Sequence, residues 1–130
     1  MTLHEKRIIL EMGSGNDLYG CDYTKAACRA VQDALHHSSI VLFKSLGHDH
    51  RDMRVRVTIG VQKPDLVDTA RVCAELPRGR AEVTVVRGGL DVHDAEQDTT
   101  HVVATAAVEA FLPIEPGRWR LSRAGQVNER

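Results

Sequence analysis

Ile8-Ile9-Leu10-Glu11-Met12-Gly13-Ser14-Gly15-Asn16-Asp17-Leu18-Tyr19-Gly20 joins an apolar run to three glycines and an acid, just before a helical pattern. Residues 7–12 read as a buried strand, and residues 13–20 as the loop that turns the chain into a helix. Three glycines at one strand-to-helix junction imply backbone that closely approaches a ligand or a neighbouring subunit. Asp22 stands where a helix cap belongs, and the helix runs to about residue 37. Ala26, Ala27, Ala30, Val31, Ala34 and Leu35 share one face of it. Alanine makes that face shallow, so the helix can lie close to whatever it covers. Arg29 and Asp33 sit four apart on the opposite face and can pair weakly.

Outward from this junction the periodicity changes. Ile40-Val41-Leu42-Phe43 is a short apolar run, read as a strand, and residues 47–52 form a polar turn. From Met53 to Gln62 the chain alternates strictly. Met53, Val55, Val57, Ile59 and Val61 point one way, and Arg54, Arg56, Thr58, Gly60 and Gln62 the other. Pro64-Asp65 opens a second helix to about residue 76, with Leu66, Val67, Ala70, Cys73 and Ala74 inward, and Pro77-Arg78-Gly79 ends it. Residues 80–87 alternate again, with Ala81, Val83 and Val85 on one side, until Gly88-Gly89. Residues 91–100 are acidic and polar and read as a mobile loop. Residues 101–112 fit a helix by their alanines and a long strand by their alternation; the strand is favoured. The expected order is β-α-β-β-α-β-β, an α+β fold with two helices packed on one face of a mixed sheet. Residues 1–113 form a single domain in this reading, and residues 114–130 a polar tail holding the only tryptophan, Trp119. The other sheet face carries Thr58, Gly60, Thr84, Thr105, Ala107 and Glu109. A broad half-apolar face is poorly suited to water, so subunits are expected to pack these faces together in a barrel-like homo-oligomer.

Composition narrows the function classes. A chain of 130 residues with formal net charge −1 lacks the basic excess of a duplex-binding protein, so no nucleic-acid partner is expected. No apolar run approaches the roughly 20 residues of a spanning helix, and the N-terminus lacks a signal-peptide core. No membrane partner and a cytoplasmic location follow as expectations. Cys21, Cys28 and Cys73 show no CxxC spacing, which argues against a disulfide framework or a zinc ribbon.

The candidate chemistry centres on the glycine segment. Gly15 to Gly20 has P-loop spacing, but Cys21-Asp22 replaces the required lysine and hydroxyl. The spacing GxGxxxxG also fails the dinucleotide fingerprint, so no cofactor is expected. What remains is a backbone nest at a helix N-terminus, able to hold an anion or a carbonyl oxygen, or a tight turn capped by Asp17. Lys25 lies one turn into the helix. Beside Asp17 it forms a possible acid/base or carbonyl-polarising pair. Ser14 is the one hydroxyl in the loop. Glu109 needs a partner on its strand, and Arg54, Arg56 or Arg87 can supply one, or can clamp a substrate carboxylate. His36, His37, His48 and His50 cluster in sequence, and His48-Asp49-His50 offers two ligands on one side of an extended segment. Without a third partner at ligand spacing, no metal site is assigned.

Gly13, Gly15, Asp17 and Gly20 resemble the GxGxDxHG signature of a Lin-type family of conserved hypothetical proteins, with Tyr19 where that family has histidine. The resemblance continues through Thr24-Lys25-Ala26-Ala27, Met53-Arg54-Val55, Arg87-Gly88-Gly89-Leu90 and Ala106-Ala107-Val108-Glu109, and it implies no particular activity. In topology the chain is also similar to the single repeat of cyanuric acid hydrolases and barbiturases and to chorismate-mutase-like and YjgF-like trimers. That analogy implies threefold assembly and small carbonyl or carboxylate ligands at subunit clefts. The expected function is binding of a small polar metabolite at such clefts by Gly13, Ser14, Gly15, Asp17, Gly20, Arg54, Arg56 and Glu109. The alternatives are a cyclic amide or imide hydrolase using Asp17 and Lys25, and a structural or metal-binding oligomer.

Overall fold

Alternation builds the centre of the sheet in the computed structural model, which describes residues 4–36, 53–76 and 80–114. In β2 (Arg54–Val61) Val55, Val57, Ile59 and Val61 are buried, and Arg54, Arg56 and Thr58 stand on the opposite face. β5 (Thr99–Ile114) buries Val102, Ala104, Ala106, Val108, Ala110 and Leu112 in the same way. Residues 101–112 are therefore strand, and the strand extends beyond them at both ends. β1 (His4–Asp17), β3 (Arg80–Arg87) and β4 (Leu90–Asp94) complete a five-stranded sheet in the order β1-β5-β2-β3, with β4 also on β5. β2 and β3 run parallel and the remaining pairs antiparallel, so the sheet is mixed.

Two helices, α1 (Tyr23–His36) and α2 (Thr69–Cys73), pack on one face. Asp22 caps α1 as expected, its carboxylate accepting the Lys25 N–H at 3.0 Å. The α1 residues Ala26, Ala27, Ala30, Val31 and Ala34 are fully buried against the sheet. Thr24 ties the second helical segment to α1: its hydroxyl donates to the Leu66 carbonyl and accepts the Asp68 N–H.

The structure departs from the sequence reading at three places. First, residues 13–17 are not loop, because β1 continues through Asp17. Gly13 and Gly15 lie opposite Ala106 and Ala104 and face α1. A Cβ on Gly15 would stand 2.3 Å from the Ala30 nitrogen, and one on Gly13 2.4 Å from the Ala34 nitrogen. These glycines let the chain's own helix lie against its own strand, where a ligand or another subunit was expected. Second, the helix expected over residues 64–76 is a 3-10 turn (Pro64–Leu66), extended backbone at Val67, and then the short α2. Asp68 starts α2 by accepting the Ala70 and Arg71 N–H groups. Val72 is its buried residue, whereas Leu66, Ala70 and Ala74 are exposed. Third, the acidic segment supplies β4 and a four-residue turn in front of β5. The strand expected at residues 40–43, the turns at 47–52 and 77–79, and the tail from residue 115 on lie outside the described residues; residue 114, counted with the tail, ends β5.

β3 becomes β4 by stepping across the end of β2. Gly88 donates to the Val61 carbonyl at 2.9 Å, and Gly89 sits at φ +62 with no room for a Cβ, which would fall 2.2 Å from the Val103 oxygen. Beyond this step β4 takes the place beside β5 that β2 leaves.

Candidate functional site

The residues singled out from the sequence fall on opposite faces of the sheet. Ile9, Glu11, Gly13, Gly15 and Asp17 alternate toward the helices, and Leu10, Met12, Ser14 and Asn16 toward the face that no described element covers. Asp17 lies opposite Val102, seven positions along β5 from Glu109. At the strand rise this separates them by about 23 Å. One chain therefore does not gather them into one site.

On the helix side Asp17 is buried and fully engaged. Its Oδ2 accepts the Asp22 N–H at 2.8 Å, and its Oδ1 lies 3.9 Å from Lys25 Nζ and 3.8 Å from Arg29 Nη1. The structure does bring Asp17 and Lys25 together, with half of the lysine side chain in solvent. Gly20 passes so close that a Cβ there would meet Asp17 Oδ2 at 2.8 Å. Arg29 and Asp33 bind the outer edge of β1: Arg29 donates to the Asn16 carbonyl at 2.6 Å and Asp33 accepts the Ser14 N–H at 3.0 Å. The N–H groups of Ser14 and Asp22, candidates for an anion nest, are thus already paired.

The same end of the fold holds a pair the sequence reading did not single out. Tyr23 is buried, and its phenol donates to Asp91 Oδ2. Burial, then that hydrogen bond, pushes the phenol pKa up. Three buried side-chain atoms lack a partner among the described residues, Asp91 Oδ1, Thr99 Oγ1 and His101 Nδ1, and all belong to the β4–β5 hairpin. The ring of Tyr19 stands edge-on to His101 with centroids 6.0 Å apart.

On the open face Arg7, Arg54 and Arg56 are matched to carboxylates. Arg56 forks onto Glu109 at 3.0 and 3.1 Å, and Arg7 reaches the same carboxylate at 3.0 Å. Arg56 first, then Arg7, holds the Glu109 carboxyl below the usual carboxylate range. Arg54 binds Glu5 through Nε and Nη2 and Glu82 through Nη1 at 2.6 Å. Its guanidinium also lies 4.4 Å from the Phe111 ring centre, with that of Arg56 at 5.2 Å. Arg54, Arg56 and Glu109 come together, each already held in an ion pair. Glu5, Arg7 and Glu82 were missed. The signal for them was cross-strand register, which one sequence does not reveal.

Farther along this face lies a concavity of about 630 Å³ whose lining includes Met12, Ser14, Thr58, Gly60, Thr105 and Ala107. Register explains it. Ser14, Thr105 and Gly60 form one row across β1, β5 and β2, and Met12, Ala107 and Thr58 the next. Gly60 leaves the floor open.

Among the described residues no three His, Cys, Asp or Glu side chains are grouped to hold a metal ion, and no helix is long and apolar enough to cross a membrane. Of the clustered histidines His36 alone lies among the described residues, exposed at the end of α1.

The chain belongs to the Lin0512 family of conserved hypothetical proteins, whose model matches residues 7–110. It is similar to the crystal structure of an FtsZ-like protein of unknown function from Nostoc punctiforme. The two are 33% identical with a TM-score of 0.75, over 85% of this chain and 98% of the other. No curated protein matches the chain.

Proposed function

We propose that this protein is a self-assembling binding protein. Copies pack open sheet face on open sheet face, and a small polar metabolite occupies the concavity that this contact closes. One observation carries the reading. Leu10, Met12, Val86, Leu90 and Val92 are between 40% and 66% exposed, and the registers place all five on the open face. Large apolar side chains exposed together on one face mark an interaction surface. The charged end of the same face favours a second copy as the partner. Arg7, Arg54 and Arg56 stand among Glu5, Glu82 and Glu109, so this end offers both signs of charge to a second copy of itself.

In this reading Gly13 and Ser14 border the ligand. Gly15, Asp17, Gly20 and Lys25 hold the strand and helix in place, and Arg54, Arg56 and Glu109 form the charged part of the contact. The hydrolase alternative draws no support from the geometry. Ser14 faces the open side, whereas Asp17 and Lys25 lie on the helix side. Light scattering at tens of micromolar tests the assembly. The parent chain is expected as a multimer, and Met12→Glu with Val92→Glu as a monomer with unchanged circular dichroism. A monomeric parent chain would overturn the reading.

A further inference from the structure

We infer that the concavity over Gly60 binds an organic monocarboxylate, with Arg87 as its cation and the Thr58 and Thr105 hydroxyls as further donors. The inference rests on the binding reading above and names the ligand chemistry. Of the three arginines the sequence offers for clamping a carboxylate, Arg54 and Arg56 are committed to Glu5, Glu82 and Glu109. Arg87 lines the concavity and forms no ion pair among the described residues. It is exposed at the end of β3, opposite Val61. Its Cβ starts toward the helix side, but β3 is the last strand of the sheet, so a side chain of this length can turn round the margin. A guanidinium presents a planar fork that meets a carboxylate with two parallel hydrogen bonds.

Hydroxyl donors stand on the same side of the concavity. Gly60 lies opposite Val86, the residue before Arg87. Thr105 Oγ1 leans over Gly60, where a Cβ would meet it at 2.7 Å. That hydroxyl is therefore about one strand spacing, 4.8 Å, from the strand that carries Arg87. Thr58 adds a second hydroxyl in the next row, and neither bonds another group among the described residues. Met12, Val86 and Ala107 supply an apolar wall for the body of the molecule. The volume lies within the range of small-molecule sites, roughly 300–1,000 Å³. The acid of this concavity, Asp33, borders the opposite rim and is engaged, its Oδ2 accepting the Ser14 N–H. β5 and β2 lie between β1 and β3, so the rims stand about 14 Å apart at the usual strand spacing. That exceeds the screening length of about 8 Å at physiological salt. One guanidinium offsets one negative charge, whereas a phosphate dianion would keep a second charge unmatched.

Benzoate and benzamide are a matched pair for the test, equal in shape and different in charge. Saturation-transfer NMR on the full chain is expected to show benzoate bound at least about tenfold tighter than benzamide. Arg87→Gln removes the charge at an exposed position, and is expected to weaken benzoate by about tenfold and leave benzamide unchanged. Thr58→Val with Thr105→Val keeps the β-branched shape, removes two hydroxyls, and is expected to weaken benzoate by about fivefold. Benzamide bound as tightly as benzoate, no benzoate signal, an unchanged benzoate signal in either variant, or displacement of benzoate by equimolar inorganic phosphate would each overturn the inference. Light scattering on the same samples separates the two claims. A monomer that binds benzoate through Arg87 refutes the assembly and keeps the ligand class. A multimer that ignores benzoate does the reverse.

Discussion

Replacing Gly15 with alanine should destabilise the fold by about 2 kcal/mol, the net of two opposed effects. The new Cβ would stand 2.3 Å from the Ala30 nitrogen and 2.4 Å from the Ala26 oxygen, both backbone atoms of α1. Ordinary contact begins near 3.4 Å, so the helix must retreat by about 1 Å in an interior that has no slack. Retreat loosens Ala26, Ala30 and Ala34, none of which is exposed. Overpacking of this kind costs up to about 3 kcal/mol. Against it, alanine narrows the unfolded ensemble and returns about 0.4–1 kcal/mol. The clash wins, and the melting temperature should fall by about 8 °C. Urea unfolding is the assay, with the midpoint lowered and the slope unchanged. Ser14→Ala, one residue away on the open face, should stay within about 0.5 kcal/mol. A Gly15→Ala variant as stable as the parent would refute the claim that this glycine exists for the approach of α1.

Two further substitutions probe the polar groups. Glu109→Gln leaves Arg7 and Arg56 against a neutral amide and should cost about 1–2 kcal/mol near neutral pH. Because the folded carboxyl titrates below its ordinary value of 4.5, its contribution is present above about pH 4.5 and lost as pH falls through the folded value. The variant should therefore show a flatter acid limb in a series of urea midpoints, and an unchanged acid limb would count against the pairing. Tyr23→Phe removes the donor to Asp91 and should cost about 1–3 kcal/mol. The phenol ionises above its ordinary value of 10.0, so its stabilisation is complete below about pH 10 and lost as pH rises further. The phenylalanine variant should lose that alkaline slope in thermal melts, and parallel melting curves would exclude the contribution.

What could be read from the sequence was whatever repeats with a simple period. β2 alternates throughout and β3 as far as Val85, and both carry valine, so their faces could be assigned residue by residue. Asp22 was recognisable because a cap is a local device. β4 was not, since Leu90-Asp91-Val92-His93-Asp94 puts only two apolar residues among acids and owes its pairing to β5. Gly13 and Gly15 were misread for a related reason. Glycine in isolation signals a turn, and its use in a strand becomes visible only beside Ala26, Ala30 and Ala34, eleven or more positions later. The candidate site suffered most. Glu109 could be seen to need a cation, but which arginine supplied it depended on register, and the answer was two, one of them Arg7. The concavity over Gly60 draws residues from β1, β2, β3 and β5, which lie far apart along the chain.

The clasp of α1 on β1 has a consequence for how copies can add to one another. Arg29 and Asp33 occupy a carbonyl and an amide that a foreign strand would need. Fibrous growth by edge-to-edge accretion requires two adhesive margins per molecule, one to join and one to be joined. With α1 holding this stretch of the β1 margin, a foreign strand finds fewer free groups there. That hinders propagation from this margin in a chain rich in alternating valine.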